Sequence, residues 1–227
     1  MTDRVFTSEE LEKMGRRTVE LLTEAVESGD KEGARKLAEQ MYGEFSYMHD
    51  LYRDWMAGLM DYIYKNHGEE SLYQALRGVV AVFPRTARAS SEKVDFRHRV
   101  QALASVLRGH LQPMMLEEDD EKVCIKMEPC GSGQRLLEAG GYEPPRNLTI
   151  IQKPHPMTWG LTDFPIYCTH SPVMEILSIE KLGYPGVVAL PAEKVARESC
   201  RYCVYKNPQD IPQEVYTRVG KQKSMQR

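Results

Sequence analysis

The hydrophobic pattern of this chain changes its period at Pro113, and that change constrains the fold more than any other feature. Before it, apolar residues recur at steps of three and four. After it, short segments alternate apolar and polar. A step of three or four places side chains on one face of a helix, whereas a step of two places them on one face of a strand. The chain therefore reads as α+β. An N-terminal helical bundle, residues 1–115, is followed by a cysteine-bearing mixed α/β part with a small sheet, residues 116–227.

In the first half, Thr7 and Glu10 have the spacing of a capping box, and one helix is expected from there to about Glu27. Ser28-Gly29-Asp30 breaks it, and Asp30 can cap a second, longer helix. On that helix Met41, Phe45, Met48, Tyr52, Trp55, Leu59 and Ile63 form an apolar stripe that ends at Asn66-His67-Gly68, where Gly68 suits a C-terminal cap. Together with Met56 and Met60, this stripe is expected to be core. A shorter helix over 69–81, a polar loop over 84–95 and a helix capped by Asp95 complete four or so helices.

Past Pro113 the acidic run Glu117–Glu121 reads as a solvated turn. "KVCIKM" (122–127) alternates, with Val123, Ile125 and Met127 on one face and Lys122, Cys124 and Lys126 on the other. Further strands are expected at 148–152, 164–170, 186–190 and 201–206. "SPVMEILSIEKLG" (171–183) reads as a helix with Ser171 at the N-cap, Pro172 at the first turn and Gly183 past the end. The last eight residues read as a frayed tail.

Composition narrows the function. Of 227 residues 41% are hydrophobic and 28% charged, with a formal net charge of −3, so the chain belongs with folded globular proteins. No basic stripe interleaved with aromatics appears, which argues against nucleic acid as a partner. No apolar run approaches the roughly 18 residues of a membrane span, and the polar N-terminus lacks the pattern of a secretory signal. A cytoplasmic protein with a small-molecule ligand is expected, with self-association left open. Five cysteines in that setting read as thiols or metal ligands rather than a disulfide framework.

Those cysteines carry the candidate chemistry. In "PCGSGQR", Cys130 precedes Gly131-Ser132-Gly133, whose amides can form an anion-binding nest before a short helix. A thiolate there would be a nucleophile, with Arg135 holding a carboxylate or phosphate. If 164–170 is a strand, Cys168 and His170 share a face at the start of the following helix. Cys200 and Cys203 form a C-x-x-C, and with Cys168 and His170 they make a Cys3His zinc set. Exchanging His170 for Cys130 would suit iron or an iron–sulfur cluster. His155, between two prolines, is a candidate catalytic residue in a loop that could wall a pocket. Trp159 is a candidate pocket wall, and His49, at the edge of the long helix's stripe, is a candidate ligand contact.

"PCGSGQR", "PIYCTH" and "ESCRYCVYKNP", in that order, resemble the aminothiazoline-carboxylate hydrolase-like proteins over roughly residues 35–210. The resemblance matches Cys130, Cys168, His170 and Cys200, while Ser171 stands where a further cysteine is expected. It implies a helical N-terminal part, an α+β C-terminal part and an enzyme hydrolysing a small sulfur heterocycle. The class of function expected is thus a hydrolytic enzyme acting on a small anionic or heterocyclic molecule, or, alternatively, a non-catalytic metal- or ligand-binding sensor module.

Overall fold

A computed structural model describes residues 5–82 and 94–223. The chain divides into two compact units, Met1–Leu51 and Tyr52–Arg227. The fold is α+β, with a long N-terminal helix and a small antiparallel sheet in the C-terminal half.

In the first unit the single helix expected over 7–27 is two, α1 (Ser8–Gly15) and α2 (Thr18–Glu27). The Thr7–Glu10 capping box starts α1. Arg16 and Arg17 are both extended, because Arg17 turns back to serve as the cap of α2, its side chain bonded to Glu20. The buried Thr18 hydroxyl donates to the Glu44 carboxylate at 2.7 and 2.8 Å, which ties α2 to the next helix. That helix, α3 (Lys31–Ala81), begins with Asp30 accepting the Gly33 N–H at 2.9 Å. It is interrupted where Gly68 adopts φ 85°, a left-handed backbone that glycine tolerates without strain.

The second unit takes α3 from Tyr52 onward, α4 (Phe96–Arg108), β1 (Met114–Glu118), β2 (Lys122–Met127), α5 (Gly133–Glu138), β3 (Ile150–Ile151), β4 (Phe164–Pro165), α6 (His170–Leu182), β5 (Val188–Leu190), β6 (Arg201–Tyr205) and α7 (Gln213–Thr217). Asp95 caps α4 by accepting the His98 N–H. The helices expected in residues 52–115 thus share a unit with the sheet. Residues 84–93 of the expected polar loop lie outside the described residues.

The main sheet has the order β1-β2-β6-β5, antiparallel throughout. Strands β2, β5 and β6 are largely buried on both faces, and their successive residues alternate between two cores. Ile125, Met127 and Val204 pack with Leu103, Ala104 and Leu107 of α4. Cys124, Cys203, Val188 and Tyr205 join Met60, Leu72 and Leu76 of α3 and Val173 and Ile176 of α6. This makes a helix–sheet–helix sandwich.

Several expectations are corrected here. The acidic run is half strand: Glu117 and Glu118 lie in β1, whose exposed, charged edge discourages further pairing. Only Asp119–Glu121 turns, with Asp119 accepting the Glu121 and Lys122 N–H groups at 2.9 and 2.8 Å. The expected strand 164–170 stops after Pro165; Ile166–Thr169 is a 3-10 turn closed by the Thr169 hydroxyl on the Ile166 carbonyl. His170 therefore opens α6, whose N-cap is Thr169 rather than Ser171, while Gly183 ends it at φ 80° as expected. Residues 221 and 223 of the tail are anchored by ion pairing to Glu180 and by bonds to the Gln209 and Ile211 carbonyls.

The apolar stripe is also corrected. Met41, Phe45 and Met48 in the first unit, and Tyr52, Trp55, Met56 and Leu59 in the second, are exposed. Of the residues expected in that core, Met60 is buried and Ile63 is partly buried against it. Among the described residues no helix is long and apolar enough to cross a membrane.

Candidate functional site: a cavity beside three thiols

The structure separates the five cysteines into a bridge and a cluster. Cys124 and Cys203 face each other across β2 and β6 and form a disulfide. Their register explains why the C-x-x-C fails as a unit. Residues three apart in extended chain point to opposite faces, so when Cys203 turns to Cys124, Cys200 turns away.

Cys130, Cys168 and Cys200 are free thiols. They come from three corners of the chain, before α5, before α6 and before β6, and fold close enough to act on one another electrostatically. Burial pushes the Cys168 thiol well above its usual value, and the neighbouring Cys130 and Cys200 add to the effect. Burial likewise pushes Cys200 up to about 11, a hydrogen bond with the Ala192 backbone opposing it. A thiolate at Cys168 is therefore disfavoured even beside the start of α6, since desolvation outweighs the dipole of the helix.

Small residues and amide bonds hold the cluster. The Gln134 carbonyl oxygen accepts the Cys130 N–H at 3.0 Å and the Ser199 hydroxyl at 3.1 Å, so one side chain joins the Cys130 corner to the segment that carries Cys200. A Cβ on Gly133 would lie 2.8 Å from the Cys168 sulfur, and one on Gly131 would lie 2.4 Å from Cβ of His110. These close approaches, with no positive φ involved, account for both glycines of the expected anion nest. Ser132 between them is buried, and its hydroxyl lies 3.9 Å from the Cys130 sulfur.

The zinc expectation is overturned. Among the described residues no group of three or more His, Cys, Asp or Glu is arranged to hold a metal ion. Cys203 is consumed by the bridge, which removes it from the Cys3His set and from the four-cysteine cluster alike. His170 points its Nδ1 at the Tyr167 carbonyl, 2.6 Å away, and its ring stands edge-on to Tyr167.

Ser132 also lines a cavity of about 480 Å³ in the second unit. Leu103 and Leu107 of α4, Met127 of β2, Leu177 of α6 and Val187 form its apolar walls. Ser132, His170, Ser171, Ser178 and Tyr202 supply neutral polar groups to its lining, and His110, Glu175, Glu180 and Lys181 line it as well. Because Nδ1 of His170 donates to a carbonyl, the neutral ring carries its lone pair on Nε2. Burial pushes its pKa below the usual value, which keeps it neutral. The Tyr202 phenol, raised by burial and by the three thiols, hydrogen-bonds Ser171.

Sequence reasoning missed a buried carboxyl that lines the cavity. Glu175 lies on α6 and is 3% exposed. It accepts the Trp159 indole N–H at 2.6 Å and the Arg218 guanidinium at 2.7 and 2.8 Å, while Arg218 also lies over the Trp159 ring. Burial pushes its carboxyl up to about 7, with Arg218 and Trp159 opposing. The sequence signal was a glutamate amid "VMEIL", on the face that Ile176 and Ile179 bury.

The remaining candidates lie elsewhere or have other work. Trp159 is a core residue rather than a loop wall. His155 caps the 3-10 turn Pro156–Thr158, its Nδ1 accepting the Met157 N–H at 3.1 Å and its Nε2 lying 3.5 Å from Glu69. It does not line the cavity. His49 belongs to the first unit, with Nδ1 3.1 Å from Asp50. Arg135 is half-buried on α5. Comparison with protein-family models, curated proteins and solved structures gives no match.

Proposed function

We propose that the second unit binds a small, largely apolar ring-sized molecule bearing one hydrogen-bonding group. The observation that carries this reading is the cavity itself. Its volume falls in the range of about 300–1,000 Å³ typical of small-molecule sites, and apolar side chains share its lining with hydrogen-bonding groups, Ser132, His170, Ser171 and Tyr202 among them. The neutral His170 offers an acceptor, and Ser132 and Ser171 offer hydroxyls that donate or accept. A ligand with an apolar body and one N–H or O–H meets both demands.

An enzymatic reading rests on one further contact. Ser132 touches both the cavity and the Cys130 sulfur, which sets a free thiol one side chain behind the wall. In that reading Cys130 is the nucleophile and His170 the base, with no metal involved. The Cys124–Cys203 disulfide favours an oxidising compartment over the expected cytoplasm.

Ligand-observed magnetic resonance with a library of small heterocycles tests binding. Hits are expected to lose binding in Leu107→Trp, which fills the cavity, and to weaken in His170→Phe. Hits that bind both folded variants as well as the parent would refute the site. For a hit that is turned over, Cys130→Ser should leave binding intact and abolish the reaction; surviving turnover would remove the thiol from the mechanism.

A further inference from the structure

In the second unit the α3 helix has a buried face and, nearly opposite it, an exposed apolar one. Arg53, Ala57, Met60 and Asp61 are buried. Nearly opposite, Tyr52, Trp55, Leu59 and Tyr62 are 58%, 63%, 62% and 60% exposed. The steps along that exposed row are three, four and three. The sequence continues the row upstream through Met48, Phe45 and Met41, at steps of four, three and four, and these residues are exposed in the first unit. Ile63, which a helix of period 3.6 would use to continue the stripe, turns toward the core, and Tyr62 takes its place in the row.

A strict alternation of three and four is the heptad spacing by which one helix stays in register with another wound around it. Seven positions from Met41 to Tyr62 obey it, and none carries a charge. We propose that the second-unit stretch of this row, Tyr52 to Tyr62, is a self-association seam and that its occupant is the same stretch of a second copy of this chain. Identical rows face each other across a two-fold axis without repulsion, because no like charges are brought together. The area is sufficient as well. With aromatic side chains of about 150–250 Å² each, Tyr52, Trp55, Met56, Leu59 and Tyr62 alone offer roughly 500–600 Å² per copy. Two copies bury about the 1,000 Å² that a specific interface requires.

Sedimentation equilibrium of the full chain tests this. The wild type is expected at twice the chain mass at micromolar concentration. Trp55→Glu combined with Leu59→Glu should associate about 100-fold more weakly with an unchanged circular dichroism spectrum, since both side chains are exposed in the single chain. A wild type that stays monomeric at tens of micromolar, or a dimer that survives the double substitution, overturns the proposal. Should the double variant fail to fold, acrylamide quenching of the wild type decides. The chain has two tryptophans, and Trp159 is buried. Dilution should therefore raise the quenchable fraction through Trp55 alone, and quenching that is independent of concentration refutes the seam.

Discussion

Breaking the Cys124–Cys203 bridge should cost more stability than any single side-chain change in the sheet. The bridge joins positions 79 residues apart, and the enclosed stretch includes Cys130, Cys168, Cys200, α5, α6 and β5. Loop-closure entropy for that separation corresponds to about 4.5 kcal/mol removed from the unfolded state's advantage. With a urea dependence of about 2 kcal/mol per molar for a domain of this size, reduction should lower the unfolding midpoint by about 2 M. Cys124→Ala with Cys203→Ala should do the same, with about 1 kcal/mol more lost because both sulfurs leave a buried site. The assay pairs urea unfolding, with and without a phosphine reductant, with thiol titration of the denatured, unreduced protein. Three titratable thiols are expected. Five thiols, or a midpoint that reductant leaves unmoved, would refute the bridge and return Cys203 to the free thiols.

Other outcomes follow from single contacts. Glu175 binds its proton more tightly folded than unfolded, so its contribution to stability is complete below about pH 4.5 and is lost as pH rises to about 7. Trp159 emission, which senses that carboxyl through its indole N–H, should titrate in the same window, and Glu175→Gln should flatten the curve; a flat wild-type profile would contradict the assignment. Gly133→Ala should destabilise by about 1–3 kcal/mol through overlap with the Cys168 sulfur. Adding Cys168→Ala should recover most of that loss in urea unfolding, and two losses that simply add would place the sulfur elsewhere. Asp61→Ala should cost about 2–3 kcal/mol in the same assay, because it strands the Thr149 N–H and hydroxyl now bonded at 2.8 and 2.7 Å; a loss within error would show those groups have other partners.

Local signals in the sequence determined much of this protein. The Thr7–Glu10 box, the caps at Asp30 and Asp95, the interruption at Gly68 and the end of α6 at Gly183 depend only on residues within a few positions of one another. The same holds for the strand at 122–127, whose alternation is a property of extended chain. That Cys130, Cys168 and Cys200 lie at the edges of elements was also legible, and those edges do converge. Tertiary structure decided which long-range partners those residues take. The β2–β6 register turned Cys203 toward Cys124 and so dissolved the metal set, since pairing across 79 residues leaves no mark in local spacing. Burial of the cluster raised the Cys168 thiol where a helix start alone would lower it. Periodicity specified that the row from Met41 to Leu59 forms one helix face. Only the tertiary structure showed that these side chains are exposed among the described residues, because period locates a face and long-range packing alone decides what lies against it.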